Sequence, residues 1–211
     1  MIALANRDFK KAITESKKTS NYLSDDLALT LLLKSEVYKI EKKFDDLNLV
    51  YQEMMKNKNT ENLAYKGMME QYINAQDYHH AFLYGEKLFL LNPNIDKLYE
   101  TLIHIAAKTR NWGKLIWLSE KAYSKKIIKK ETFLENTSIA YYEIAKIKLD
   151  SNIKDANKNI VKSLELRKHF VPYIKLHLEI LSIMNNVAHL KKMIKKYWYY
   201  QPSSSLRKIL M

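Results

Sequence analysis

The chain has no cysteine. That excludes disulfides and thiolate metal sites, and it fits any redox compartment. Glycine and proline are scarce, three of each in 211 residues. So few turn-formers argue against disorder and against an all-β fold, and for an ordered helical chain. Arginine is scarce too: Arg7, Arg110, Arg167 and Arg207 are the only four among 36 basic residues. No apolar run approaches the ~18 residues of a membrane span. The opening "MIALANRDFKKAITESKK" has too short an apolar stretch for a signal peptide. The expectation for the chain as given is a soluble domain. Sequence motifs for chemistry are missing as well. There is no Cys-x-x-Cys-His, no H-E-x-x-H and no Gly-rich phosphate loop. Gly67, Gly85 and Gly113 fall inside or next to helical segments. No Ser-His-Asp set or carboxylate pair stands out. Neither catalysis nor a bound cofactor or metal is expected.

What is present is lysine. The net charge is +13 and the pI about 9.5, in a chain that is 47% hydrophobic. A basic balance points to nucleic acid, an anionic membrane surface or acidic partners. Here lysine comes with abundant Asn, Ile and Tyr, the mark of AT-rich coding, so much of the charge is read as compositional.

The chain repeats itself. "NAQDYHHAFLYGEKLFLLNPN" places an aromatic, Tyr78, three residues before a small residue, Ala81. Thirty-four residues earlier stand Phe44 and Leu47, and thirty-four later Trp112 and Leu115. Tyr38, Tyr72 and Ala106 are equivalent in the helix before each turn. After an insertion of seven residues come Ile153 and Ala156, then Val187 and Leu190 a further 34 on. "ANRDFKKAITESKK" holds Phe9 and Ala12 in the same register. Apolar residues recur at i, i+3, i+4 and i+7 within each segment, the pattern of amphipathic helices.

This spacing resembles the tetratricopeptide repeat, a helix–turn–helix unit. Its small residue is met by Ala12, Ala81 and Ala156, and its closing Pro by Pro93 and Pro202. The early Trp is missing, and Met69 stands at the Gly position of the best unit. Leu47, Leu115 and Leu190 replace the small residue, so every second helix pair is expected to pack more openly. The expected fold is all-α: a right-handed superhelical solenoid of stacked helix-turn-helix repeats spanning 1–211 as one domain. A partial repeat covers 1–26, and repeats cover about 27–60, 61–95, 96–131, 132–169 and 170–204. First helices are expected near 27–40, 62–74, 96–109, 133–149 and 171–184. Second helices are expected near 44–56, 78–91, 112–124, 154–168 and 187–199, with a short helix near 8–18. Asn74, Asp77, Asn111, Asp150–Asn152 and Asn185-Asn186 supply turn chemistry. Met1 falls in mid-repeat, so the native chain is expected to start upstream.

The unit order also resembles the HemY type of bacterial tetratricopeptide proteins, associated with haem biosynthesis. The matching stretches are "ALTLLLKSEVYKIEKKFDDLNLVYQEMMKN", "AYKGMMEQYINAQDYHHAFLYGEKLFLLNP", "NWGKLIWLSEKAYSKKIIKKE" and "RKHFVPYIKLHLEIL". The resemblance implies N-terminal membrane helices ahead of the solenoid and association with the bacterial inner membrane. It also implies a non-catalytic scaffold whose protein partners are enzymes of the tetrapyrrole pathway.

In such a solenoid the first helix of each pair lines a groove. By register the groove residues are Glu36, Lys39, Lys66, Glu70, Lys97, Glu100, His104, Lys108, Tyr141, Lys175 and Glu179, with Leu29, Leu32, Leu63 and Lys148 beside them. Glu36, Glu70 and His104 share one position, as does Glu179. Such a file can order an extended or helical peptide. His79 and His80 are adjacent, about 100° apart on a helix, and do not chelate one ion. His169, His177 and His189 lie in different units, and each is expected to be a partly exposed polar residue. His104 alone is kept as a groove ligand candidate. The basic stretches are "SKKIIKKE" (124–131) and "LKKMIKKYWYYQPSSSLRK" (190–208). The second mixes Lys with aromatics, which suits an anionic membrane contact more than nucleic acid. Met193, Ile194 and Tyr197 in it have the spacing of a core.

Overall fold

One kind of turn builds most of this molecule. In the computed structural model, which describes residues 26–200 together with Lys11, Thr14, Glu15 and Lys18, it occurs at Lys42, Gln76, Arg110 and Asn185. Each of these adopts the left-handed conformation, with φ of 55°, 59°, 53° and 52°. The next residue then donates its N–H back to a carbonyl five residues earlier. Lys43 reaches Tyr38 at 3.0 Å, Asp77 reaches Tyr72 at 2.9 Å, Asn111 reaches Ala106 at 2.8 Å and Asn186 reaches Leu181 at 3.2 Å. This is the Schellman closure of a helix C-terminus, made here without glycine.

The same residue opens the following helix. The side chains of Asp77, Asn111 and Asn186 accept from the backbone N–H of His80, Lys114 and His189. Asn152 does so from Asp155 at 3.1 Å. These are N-caps satisfying an otherwise orphaned donor. Lys43 makes the backbone closure but has no side chain able to cap. The turn ahead of Ile153 is of another kind, because the Asn152 N–H donates to Lys148 rather than one residue further back.

The helices that result, among the described residues, are α1 (Leu27–Glu41), α2 (Phe44–Met54), α3 (Glu61–Asn74), α4 (Tyr78–Leu91), α5 (Leu98–Lys108), α6 (Trp112–Ser124), α7 (Lys130–Lys148), α8 (Ile153–Leu166), α9 (Val171–Ile183) and α10 (Val187–Tyr200). Among the described residues the fold is all-α, built from consecutive helix-turn-helix pairs. Expected and observed bounds agree within three residues. Of the expected helix near 8–18 only Lys11, Thr14, Glu15 and Lys18 are described, each of them helical, and the segment 201–208 lies outside the described residues. The largest difference is α7, which starts at Lys130. The seven-residue insertion is taken up there as extra helix at the N-terminal end. Seven residues make close to two turns, so the added length leaves each face within ~20° of its register.

The chain forms two compact units, 1–105 and 106–211. In the first, Leu31, Leu47, Val50, Met54, Ala64 and Met68 form a buried cluster shared by α1, α2 and α3. Further along, Met69 stands where the repeat pattern has glycine, and Gly85 on α4 makes the room for it. A Cβ on Gly85 would meet Met69 Sδ at 2.8 Å and overlap the Leu102 side chain of α5. In the second unit, Ala156, Ile160, Ile174, Leu178, Ile194 and Tyr197 form the core of α8, α9 and α10. A buried polar seam joins it to α7: Ser163 Oγ donates to the Ser138 carbonyl at 3.1 Å, and Ser138 Oγ lies 3.2 Å from the Tyr173 hydroxyl. Pairs α3/α4 and α7/α8, with Ala81 and Ala156 at the crossing, approach over more of their length than α1/α2 and α9/α10, with Leu47 and Leu190. A methyl side chain lets backbones close in where an isobutyl group holds them apart.

Candidate functional site

In the first unit, α1 and α3 lie side by side with α2 behind them. Between them is a cleft of about 150 Å³ lined by Glu36, Lys39, Lys66 and Glu70, with Leu32 and Leu63 beside them. The repeat register creates the arrangement: Glu36 and Glu70 are 34 residues apart, and each carries a lysine one helical turn away. Lys39 Nζ donates to Glu36 Oε1 at 2.8 Å, and Lys66 lies 3.9 Å from Glu70. All four side chains are at least one-third exposed. Exposed pairs of this kind contribute ~0.2–1 kcal/mol each, so they exchange partners at little cost.

The floor of the cleft is Tyr51 from α2, only 2% exposed, against Gly67 of α3. The glycine is required by close approach, since a Cβ there would overlap the Tyr51 ring and hydroxyl. Burial pushes the Tyr51 phenol above its ordinary pKa, partly offset by Lys39. For Lys39, burial works against the ammonium, but the Glu36 hydrogen bond and the fields of Tyr51, Glu36 and Glu70 outweigh it. Its pKa lies above the usual lysine value. The cleft therefore presents a firmly protonated lysine between carboxylates.

The other register-derived residues lie elsewhere. Lys97, in the left-handed conformation, precedes α5, and Glu100 and His104 are exposed on α5 outside the cleft. Lys108, at the end of α5, belongs to the second unit. In that unit Tyr141 is half-buried, with Lys162 Nζ 4.8 Å from its ring centroid. Lys175 and Glu179 are exposed on α9, one turn apart. The register reasoning missed Tyr51 and Gly67, which belong to the other helix of the pair and to a buried face. A lone glycine inside a helical pattern was the available signal for close packing.

One expectation is corrected. His177 is not a partly exposed polar residue: it is 4% exposed, packed in the core of α9 and α10. Its Nδ1 lies 3.1 Å from the Tyr197 hydroxyl. Burial first, then the His189 and Lys196 charges, lower its pKa to about 4. Helical spacing gave no sign of this, since His177 follows Leu176 and precedes Leu178 in a stretch apolar on most sides. The remaining histidines are exposed or half-exposed. No cluster of metal-ligating side chains occurs among the described residues. No helix among them is long and apolar enough to cross a membrane.

On α10 the basic face is bare: Lys191, Lys192, Lys195 and Lys196 are exposed, together with Trp198 and Tyr199. Ile194 and Tyr197 are buried and Met193 is half-buried, as their spacing predicts.

No family model matches the chain, and no curated protein matches it. Solved structures do. The chain is similar to a structure of Naa15/Naa10 bound to HypK-THB, with 16% identity and a TM-score of 0.54 over all of this chain and 32% of that one. It is also similar to a fragment of MamA from Desulfovibrio magneticus RS-1, at 13% identity, TM-score 0.40, and 84% and 98% coverage. A third is YrrB, a TPR protein with an unusual peptide-binding site, at 16% identity, TM-score 0.38 and 94% coverage of both chains. At these identities the likeness concerns the fold.

Proposed function

We propose that this chain is a non-catalytic protein-interaction scaffold, and that the α1/α3 cleft takes a side chain from a partner segment. One observation carries the reading. Two ion pairs brought together by the repeat, Glu36 with Lys39 and Lys66 with Glu70, surround an open cleft with a rigid Tyr51–Gly67 floor. A lysine or arginine of an extended segment would exchange with Lys39 or Lys66 for the carboxylates. A rigid floor reduces the ordering cost of binding. The fold supports this reading, because stacked helix pairs present side chains in a repeating file.

The test is affinity capture with the whole chain as bait, crosslinked in native membranes, against a second bait carrying Glu36→Lys and Glu70→Lys. Defined proteins recovered by the first bait and lost from the second support the cleft. Equal recovery by both overturns it. The finer proposal, that the partners are tetrapyrrole-pathway enzymes at the bacterial inner membrane, rests on the sequence resemblance alone. It is abandoned if no such enzyme is among the captured proteins.

A second reading rests on α10. Four exposed lysines with Trp198 and Tyr199 beside them suit an anionic membrane surface, each lysine contributing ~1 kcal/mol near such lipid. Cosedimentation with vesicles containing phosphatidylserine, lost in high salt and lost in a Lys191→Glu/Lys195→Glu chain, supports it. Binding that ignores both changes removes it.

A further inference from the structure

The second unit holds a cavity on the side of α9 away from Lys175 and Glu179. It measures about 620 Å³ and lies between α8, α9 and α10. That size is typical of small-ligand sites. Its walls are of two kinds. Val161, Leu164 and Met193 give an apolar surface, while Lys168 and Lys196 give ammonium groups and His177 an imidazole ring.

His177 is the unusual member. One ring nitrogen is tied to Tyr197, and the other, Nε2, is buried with no hydrogen-bond partner. Burial holds the Tyr197 phenol up at about 12, so it stays protonated. When that phenol donates to Nδ1, the neutral ring carries its own proton on Nε2, a donor lacking an acceptor. A buried unpaired donor is costly and is expected to have a reason. Lys168 and Lys196 are exposed, and neither forms an ion pair among the described residues. The remaining titratable groups facing the cavity are Glu165 from α8, His169 from the connection between α8 and α9, and His189 from α10. The cavity thus holds an excess of cations over its one carboxylate. His177 and His189 have ring centroids 6.4 Å apart and do not gather into a metal-ligating cluster.

We propose that this cavity is a binding site for a small amphipathic carboxylate. Its apolar body lies against Leu164, Val161 and Met193. Its carboxylate pairs with the Lys168 and Lys196 ammonium groups, and a shift of the cavity wall that uncovers the buried His177 Nε2 lets it accept from that donor as well. The apolar walls select against inorganic anions, and the cation excess selects against amines.

The experiment is calorimetric titration of the full chain with octanoate, octanol and octylamine at pH 6. Octanoate is expected to bind at one saturable site, at least tenfold more tightly than either of the others. A Lys168→Glu/Lys196→Glu chain, altered at exposed positions, is expected to lose at least tenfold in octanoate affinity. His177→Gln is expected to weaken octanoate and leave octanol unchanged. Bound octanoate is also expected to raise the pH at which the His177 ring titrates by NMR. Absence of saturation overturns the proposal, as does equal binding of octylamine or octanoate affinity that survives both charge reversals. If a peptide with a free apolar C-terminal residue binds and octanoate does not, the small-molecule reading is likewise overturned, in favour of a partner segment.

Discussion

Gly67 lies directly against the ring of Tyr51, closely enough that a single added methyl group would overlap the phenol. The contact joins α2 to α3 and fixes the floor of the ionic cleft. Two opposed effects decide what Gly67→Ala does. A helix interior favours Ala over Gly by about 1 kcal/mol, whereas overpacking a filled core costs about 1–3 kcal/mol. With Tyr51 in place, Gly67→Ala is expected to lower stability by about 1 kcal/mol. In a Tyr51→Ala chain the same change is expected to raise it. Urea unfolding of the four chains measures this, and an unchanged sign would show that the two residues do not press on each other.

The left-handed turn residues give a second prediction. Gln76 holds φ 59° without being glycine, a conformation that disfavours a side chain bearing Cβ. Gln76→Gly is expected to stabilise the chain by about 1 kcal/mol. Gln76→Val is expected to destabilise it by at least as much, because β-branched residues are poorest there. Thermal midpoints read both.

Capping gives a third. Asn111 accepts from Lys114 N at 3.2 Å at the start of α6. Removing that acceptor in Asn111→Ala is expected to cost about 1 kcal/mol. Lys43 holds the equivalent place before α2 with no cap, so Lys43→Asn is expected to raise the unfolding midpoint. Hydrogen exchange in the first turn of α2 should slow in that chain and quicken in α6 of the other.

His177 gives the fourth, in pH. Its folded pKa of about 4 lies below its ordinary value near 6.5. Between these values the unfolded chain binds a proton that the folded chain refuses, so stability rises with pH across this window. It is full above 6.5 and falls as the solution is acidified toward 4. From pH 7 to pH 5 the expected loss is about 2 kcal/mol. A His177→Phe chain should lack that part of the slope, whatever its stability at neutral pH. Equal slopes in the two chains would mean that the ring titrates normally.

Much of this architecture was legible before any coordinates. The helices from Tyr78 and Trp112 begin and end where register and caps place them, because each closure is a hydrogen bond between residues three to five apart. Asp77, Asn111 and Asn186 do this work with their own side chain and backbone. The equivalence of Glu36 and Glu70 follows from the 34-residue spacing alone. Tertiary packing decided the rest. The seven extra residues before Ala140 became two turns of α7, an outcome that spacing leaves open. Tyr51 became a cleft floor because Gly67, sixteen positions away, offers no side chain. His177 became buried because α10 folds back and sets Tyr197 against it. Local hydrogen bonds are specified by neighbours along the chain. Burial, and with it the chemistry of a side chain, is specified by whichever helices meet above it.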